Sequence, residues 1–282
     1  MPLFIDLFFH SLICLFIYLF IYIFLISDAS CPPPVVSFQN LLGWSDQQPA
    51  VAILRSKDFI VQTNIKKSNC NSSQTLLFEW YLYKYDVDKS GKTVIEFIVP
   101  LNSKSAEWNL QKRQLTYGRY FVDFKAAFAS HPRVFGRTLG FFKITKSALI
   151  ADISGGNKVT RGKGSVITLD ASLSRDPDVE PGDHSSMQFT WLCKQRNENF
   201  PNGSLASIPI VTPSSSPGSG GCFGTGVGKL SSSDIKVNLP TTGMVVDQFY
   251  DVKLIVTKDD REDDFWQEIE IVSGDPPDVT IR

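Results

Sequence analysis

Between Tyr120 and Phe128 every second residue is apolar: Tyr120, Val122, Phe124, Ala126 and Phe128. A period of two places all five on one side of an extended chain, which no helix can do. The alternation recurs in short runs broken by turn residues: Phe59-x-Val61-x-Thr63-x-Ile65, Phe78-x-Trp80-x-Leu82, Phe189-x-Trp191-x-Cys193, Tyr250-x-Val252-x-Leu254-x-Val256 and Phe265-x-x-x-Ile269-x-Ile271. Residues 93–99, 141–144 and 166–169 read as further strands. With no long helical period between them, this spacing predicts an all-β chain of sandwich type.

The runs fall into two sets with the same plan. Each has a tryptophan in an early central strand (Trp80, Trp191) and a long alternating strand later, opening on Tyr120 or Tyr250. These four aromatics are the expected core. The reading is two tandem immunoglobulin-, fibronectin-III- or PKD-like β-sandwiches, at 30–147 and 148–282, behind an N-terminal hydrophobic segment. The second half also carries a Ser-, Gly- and Pro-rich stretch, including Pro213-Ser214-Ser215-Ser216-Pro217-Gly218. Such composition buries little apolar surface, so 197–231 is expected to be a flexible surface loop.

The leader sets the compartment. No residue from Leu7 to Ile26 is charged, and Ser27-Asp28-Ala29 places small residues where a signal peptidase needs them. The n-region carries Asp6 and no basic residue, and the apolar run is long enough for a spanning helix. Residues 1–29 therefore read as a cleaved signal peptide or a signal-anchor, and translated AT-rich non-coding sequence gives the same kind of run.

Export agrees with the cysteines. Cys31, Cys70, Cys193 and Cys222 lie beyond the leader, and none forms a C-x-x-C pair. That spacing favours disulfides over zinc or thioredoxin chemistry. Four cysteines allow three pairings. Cys193 and Cys222 bracket most of the Ser/Gly/Pro-rich stretch, and closing a loop of that length is worth ~3–4 kcal/mol in the chain-entropy model. Cys31–Cys70 and Cys193–Cys222, one bridge to each half, is the expected pairing. Asn71-Ser72-Ser73 and Asn202-Gly203-Ser204 are glycosylation acceptors.

One long segment is more specific. Leu169-Asp170-Ala171-Ser172-Leu173-Ser174-Arg175-Asp176-Pro177-Asp178 leads through Gly182-Asp183 to Phe189-Thr190-Trp191-Leu192-Cys193. It resembles the receptor-for-egg-jelly module of polycystin-family membrane proteins. There a D-x-S-x-S-x-D-P turn leads through a Gly-Asp pair to a strand ending in Trp-x-Cys. Cys31-Pro32-Pro33-Pro34-Val35, Cys70, Trp80, Cys222 and Val272-Ser273-Gly274 fall at matching places, so the resemblance runs from about Cys31 to Arg282.

The resemblance implies tandem sandwiches on the extracellular face of a multi-pass membrane protein, linked to ligand or mechanical sensing coupled to cation flux. It implies as partners the neighbouring domains of the receptor, an extracellular glycan or protein ligand, and the membrane through the parent protein or the leader. The chain stops at Arg282, partway through the module. It therefore reads as a fragment, of which no channel activity is expected. A stand-alone secreted adhesion protein is the second reading and a carbohydrate-active enzyme the third.

Composition and motifs narrow the chemistry. The net charge of −1 lacks the positive field of a nucleic-acid binder. His131 and His184 are isolated, no nucleophile motif occurs, and no catalytic residue or cofactor is assigned. Gly155-Gly156 and Arg161-Gly162-Lys163-Gly164 lack a following helix and read as turns. Asp170, Asp176, Asp178, Glu180 and Asp183 offer the hard oxygens calcium prefers. Asp and Ser also shape turns by bonding their own backbone, and that is the favoured reading. Asp259-Asp260-Arg261-Glu262-Asp263-Asp264 is expected to be one solvated hairpin turn. Trp44, Trp108 and Trp266 are candidates for exposed aromatics that meet a sugar or a neighbouring domain.

Overall fold

The alternating runs become strands in the computed structural model, which describes residues 32–41, 50–68, 75–87, 93–101, 104–201, 205–212, 220–274 and 276. The leader 1–29, Trp44, Cys31, Cys70, Asn71 and Asn202 lie outside the described residues. The chain divides into two units, Met1–Lys146 and Ser147–Arg282. Among the described residues there is no α-helix, and each unit is a β-sandwich.

The first unit has eight described strands: β1 (Val35–Phe38), β2 (Val51–Leu54), β3 (Phe59–Lys66), β4 (Leu76–Val87), β5 (Thr93–Leu101), β6 (Glu107–Leu110), β7 (Gly118–Phe128) and β8 (His131–Thr145). They form a five-stranded sheet, β2-β8-β7-β4-β5, and a three-stranded one, β1-β3-β6. The β2–β8 pair is parallel. β7 is paired on both sides, and its alternation turns Tyr120, Val122, Phe124, Ala126 and Phe128 into the core. Removing a side chain such as Phe124 wholly from water contributes about 1.5–3 kcal/mol. Val61 of β3 and Trp108 and Leu110 of β6 close the core from the other sheet.

Trp108 is thus 6% exposed, and it belongs to the core rather than to a surface. Its strand is only four residues long, too short for its alternation to stand out in the sequence. Two glycines of β8 let β1 cross close above the sheet. A Cβ at Gly136 would stand 1.9 Å from the Pro34 carbonyl oxygen, and one at Gly140 would stand 2.6 Å from the Phe38 ring.

The second unit continues with β9 (Lys158–Gly162), β10 (Val166–Asp170), β11 (Gln188–Gln195), β12 (Ile210–Val211), β13 (Gly228–Leu230), β14 (Lys236–Pro240), β15 (Gln248–Lys258) and β16 (Arg261–Val272). Six of them form the sheet β12-β13-β11-β15-β16-β9, and β10 pairs with β14 opposite. The β9–β16 pair is parallel. Trp191, Leu254 and Ile269 face Leu169 and Leu239 across the core, all with no accessible surface.

The same two anchors hold both units. Trp80 donates its indole N–H to the Ser105 carbonyl at 2.9 Å, and Trp191 donates to Asp234 at 3.0 Å. The Tyr120 hydroxyl donates to the Thr116 carbonyl at 3.0 Å, four residues upstream. The Tyr250 hydroxyl accepts the Val245 N–H at 2.8 Å, five residues upstream. Each buried polar atom meets a backbone group, and each hydroxyl pins a corner of its sandwich.

The expected loop at 197–231 is different in the structure. Its described part contributes β12, β13 and two 3-10 turns, Leu205–Ser207 and Gly221–Phe223. It buries Ile208, Val211, Phe223 and Leu230. Average composition concealed these single anchors, each spaced among small residues. Cys222, in the second of those turns, is disulfide-bonded to Cys193 of β11 with Cα atoms 5.3 Å apart.

Candidate functional site

The acidic segment folds around an arginine. Arg261, the first residue of β16, reaches Asp176 through two parallel bonds of 2.8 Å, the bidentate geometry a guanidinium favours. Lys258 lies 3.1 Å from the same carboxylate. Burial opposes ionisation of Asp176. The Arg261 bonds, the Asp178 backbone N–H and Lys258 outweigh it and hold the pKa at about 2. Asp178 has no accessible surface; it accepts the Ser147 N–H at 2.8 Å and the Ser147 hydroxyl at 2.6 Å. Arg261 also reaches Asp178 at 3.5 Å and donates to the Ser147 carbonyl at 3.0 Å.

The other three carboxylates serve elsewhere. Asp170 meets Lys236 on the opposing strand at 2.8 Å and caps the Ser172 N–H. Burial opposes ionisation there too, but Lys236 and Ser172 prevail and lower its pKa. Asp183 accepts the Ser185 N–H at 2.8 Å, and bonds from Ser185 lower its pKa. Glu180 is exposed, and its carbonyl accepts the Asp183 N–H at 3.1 Å. The structure therefore brings together Asp176 and Asp178, with cations already on them. Among the described residues, no three His, Cys, Asp or Glu side chains gather closely enough to hold a metal ion.

The expected solvated turn at 259–264 needs correcting as well. Only Asp259 and Asp260 form the turn, with Asp259 at φ 54°, and the next four residues begin β16. Alternation then turns Arg261 to the acidic cluster and Asp263 to the Ala151 N–H, 2.7 Å away, while Glu262 and Asp264 stay exposed. Strand geometry splits residues that composition had placed in one environment.

The surface that sequence reading missed is the outer face of the first unit's five-stranded sheet. β4 is apolar on both sides: Trp80 and Leu82 point inward, and Tyr81, Tyr83 and Tyr85 outward. Register aligns Phe97, Tyr83, Phe121 and Phe141 in one row across four strands. Tyr83 and Phe121 stack at 4.7 Å and 10°, Phe121 and Phe141 lie 5.4 Å apart, and Tyr83 and Phe97 lie 5.3 Å apart. Ile95 and Phe97, on edge strand β5, are 56% and 51% exposed.

Ion pairs border the row. Arg137 grips Asp123 through bonds of 2.8 and 2.9 Å, which raise the Arg137 pKa. Lys125 lies 3.6 Å from Glu79 and over the Tyr81 and Phe135 rings at 4.9 and 5.2 Å. The Tyr81 hydroxyl donates to Glu79 at 3.1 Å, and that bond raises its pKa.

The second unit's six-stranded sheet is covered on part of its outer face, over β11 and β15. Phe200, Leu205 and Val227, from the 197–231 stretch, pack on Leu192, Ile208 and Ile255. Trp266 stands at the edge of this cover, 47% exposed, with Phe200 edge-on at 4.9 Å and Lys253 over its ring at 5.2 Å.

Residues 63–282 match the sequence profile of the REJ domain. The chain belongs to the REJ-domain family. The match takes in the acidic turn, the disulfide, both Trp–Tyr anchors and the outer aromatic row of this REJ chain. Among solved structures, the chicken CNTN1 FN1–FN3 domains share 11% identity at a TM-score of 0.29, over 86% of this chain and 67% of that one. The three N-terminal domains of the bacteriophage RB49 Highly Immunogenic Outer Capsid protein share 11% at 0.26, over 86% and 70%. The N-terminal four Ig domains of Dscam1 isoform 6.9 share 12% at 0.29, over 85% of this chain and 46% of that one. The fold assignment rests on this chain's own sheets, not on likenesses of that size.

Proposed function

We propose that this chain is an extracellular, non-catalytic REJ module of a polycystin-like membrane protein, presenting a binding surface to a ligand or neighbouring domain in adhesion or sensing. The observation that carries the reading is the REJ match over residues 63–282. REJ domains are extracellular in polycystins, and a disulfide at Cys193–Cys222 suits that compartment. The outer face of the first unit supplies the surface. Asn71 and Asn202 are the proposed glycan acceptors, and regulation of cation flux is a property of the parent protein.

The test is expression of the full chain with a C-terminal epitope tag in secretory cells. The expected result is tagged protein at the cell surface or in the medium, with Cys193 and Cys222 protected from alkylation. Protein retained in the cytosol with both thiols alkylated would overturn the reading.

A further inference from the structure

The outer face of the five-stranded sheet is charged in an unusual way. Its carboxylates, Asp123 and Glu79, are both engaged by cations of the same face, Arg137 and Lys125. Beyond the aromatic row, Arg119 of β7 and Lys143 of β8 stand directly opposite each other in register, both exposed. Among the described residues no carboxylate reaches either one. Like charges directly opposite on neighbouring strands are destabilising, so the pair weakens the sheet it sits on. A carboxylate from outside would reverse the sign of that cost.

The rings point to the same chemistry. Phe121 stacks on Tyr83 on one side and neighbours Phe141 on the other. Tyr83 and Phe121 lie within 10° of parallel, so each covers a face of the other and that pair leaves edges outward, while Phe141 is 6% exposed. Aromatic edges carry the positive part of the ring quadrupole and attract anions, whereas a sugar ring stacks on an open aromatic face. A second copy of this face would bring its own cations against these. We propose that the outer face of β4, β5, β7 and β8 docks an acidic peptide segment of a partner protein. A carboxylate of that segment seats between Arg119 and Lys143, and apolar side chains lie on Ile95 and Phe97. This rests on the reading of the chain as an extracellular binding module and names the partner's chemistry.

The experiment selects random 12-residue displayed peptides on the immobilised full chain, then measures the enriched peptides by calorimetry. Binding is compared with the Arg119→Glu/Lys143→Glu double variant. Both substitutions are on exposed positions, and a matched thermal melt confirms the fold. Enriched peptides rich in Asp or Glu with an aromatic or aliphatic residue, and binding about tenfold or more weaker on charge reversal, are the expected result. A neutral Phe97→Ser variant should also weaken binding. Neutral apolar peptides that bind the double variant as well as the wild type overturn the acidic assignment but leave the binding-module reading intact. A sulfated polysaccharide that binds this face while acidic peptides do not overturns it in favour of a glycan. Absence of any binding sensitive to Phe97, Arg119 or Lys143 removes the face from the binding-module reading altogether.

Discussion

The outer faces of the two large sheets meet solvent differently. In the second unit the chain covers its own sheet: Phe200, Leu205 and Val227 lie over Leu192 and Ile255, and Cys222 clamps the covering segment to β11. In the first unit the corresponding face carries the row Phe97, Tyr83, Phe121 and Phe141, and at its β5 end Ile95 and Phe97 are 56% and 51% exposed. The difference shows that a sandwich core needs only one side of each sheet. The other side is left for the chain's own loop or for another molecule.

The largest expected effect tests whether the cover and the core depend on the arginine staple. Arg261→Ala leaves Asp176 and Asp178 buried without their guanidinium, so the second unit should lose about 3–5 kcal/mol. Chemical denaturation followed by Trp191 fluorescence checks this, and the transition reported by Trp80 should stay in place. Cys222→Ser should cost about 3 kcal/mol and speed amide exchange at Leu192 and Ile255, beneath the cover. Gly136→Ala in the first unit should cost about 2–3 kcal/mol, because the Pro34 carbonyl must move, and the melt of the second unit should be unchanged.

Smaller substitutions probe the comparison itself. Phe200→Ser removes a ring that covers a sheet and should cost about 1–2 kcal/mol, whereas Phe97→Ser, at a half-exposed ring beside Tyr83, should cost about 1 kcal/mol or less. Equal losses at both would mean that the two faces do not differ as described. The acid limb separates the units too. The Asp176 pKa is lowered from 3.8 to about 2 on folding, so its contribution is full above pH about 4 and disappears as pH falls toward 2. Unfolding of the second unit should begin in that window, and Arg261→Ala should shift it upward.

Strands were legible where large apolar residues alternated, as in β3, β4, β7, β11 and β15, because one phase then had to be the core. The strand β14, with only Val237 and Leu239 turned inward, was not legible. Trp80, Trp191, Tyr120 and Tyr250 stand where that logic places them, each fully buried. The same logic hid the outer row. Once Trp80 and Leu82 were assigned inward, Tyr81, Tyr83 and Tyr85 read as mere spacers, and only register shows that Phe97, Phe121 and Phe141 join them. The acidic cluster was half legible. Asp176 and Asp178 were marked, but their partner Arg261 lies 83 residues beyond Asp178, a distance that no local pattern spans.

Both units also pair an early strand with their last one in parallel, β2 with β8 and β9 with β16. Tension applied to the incoming end of the early strand and the outgoing end of the last one pulls the two partners past each other. The slanted, evenly spaced bonds of a parallel ladder then share the force and yield together rather than unzip one at a time. In the second unit such a pull would load Lys158–Gly162, whereas in the first unit β1, paired with β3, lies upstream of Val51–Leu54.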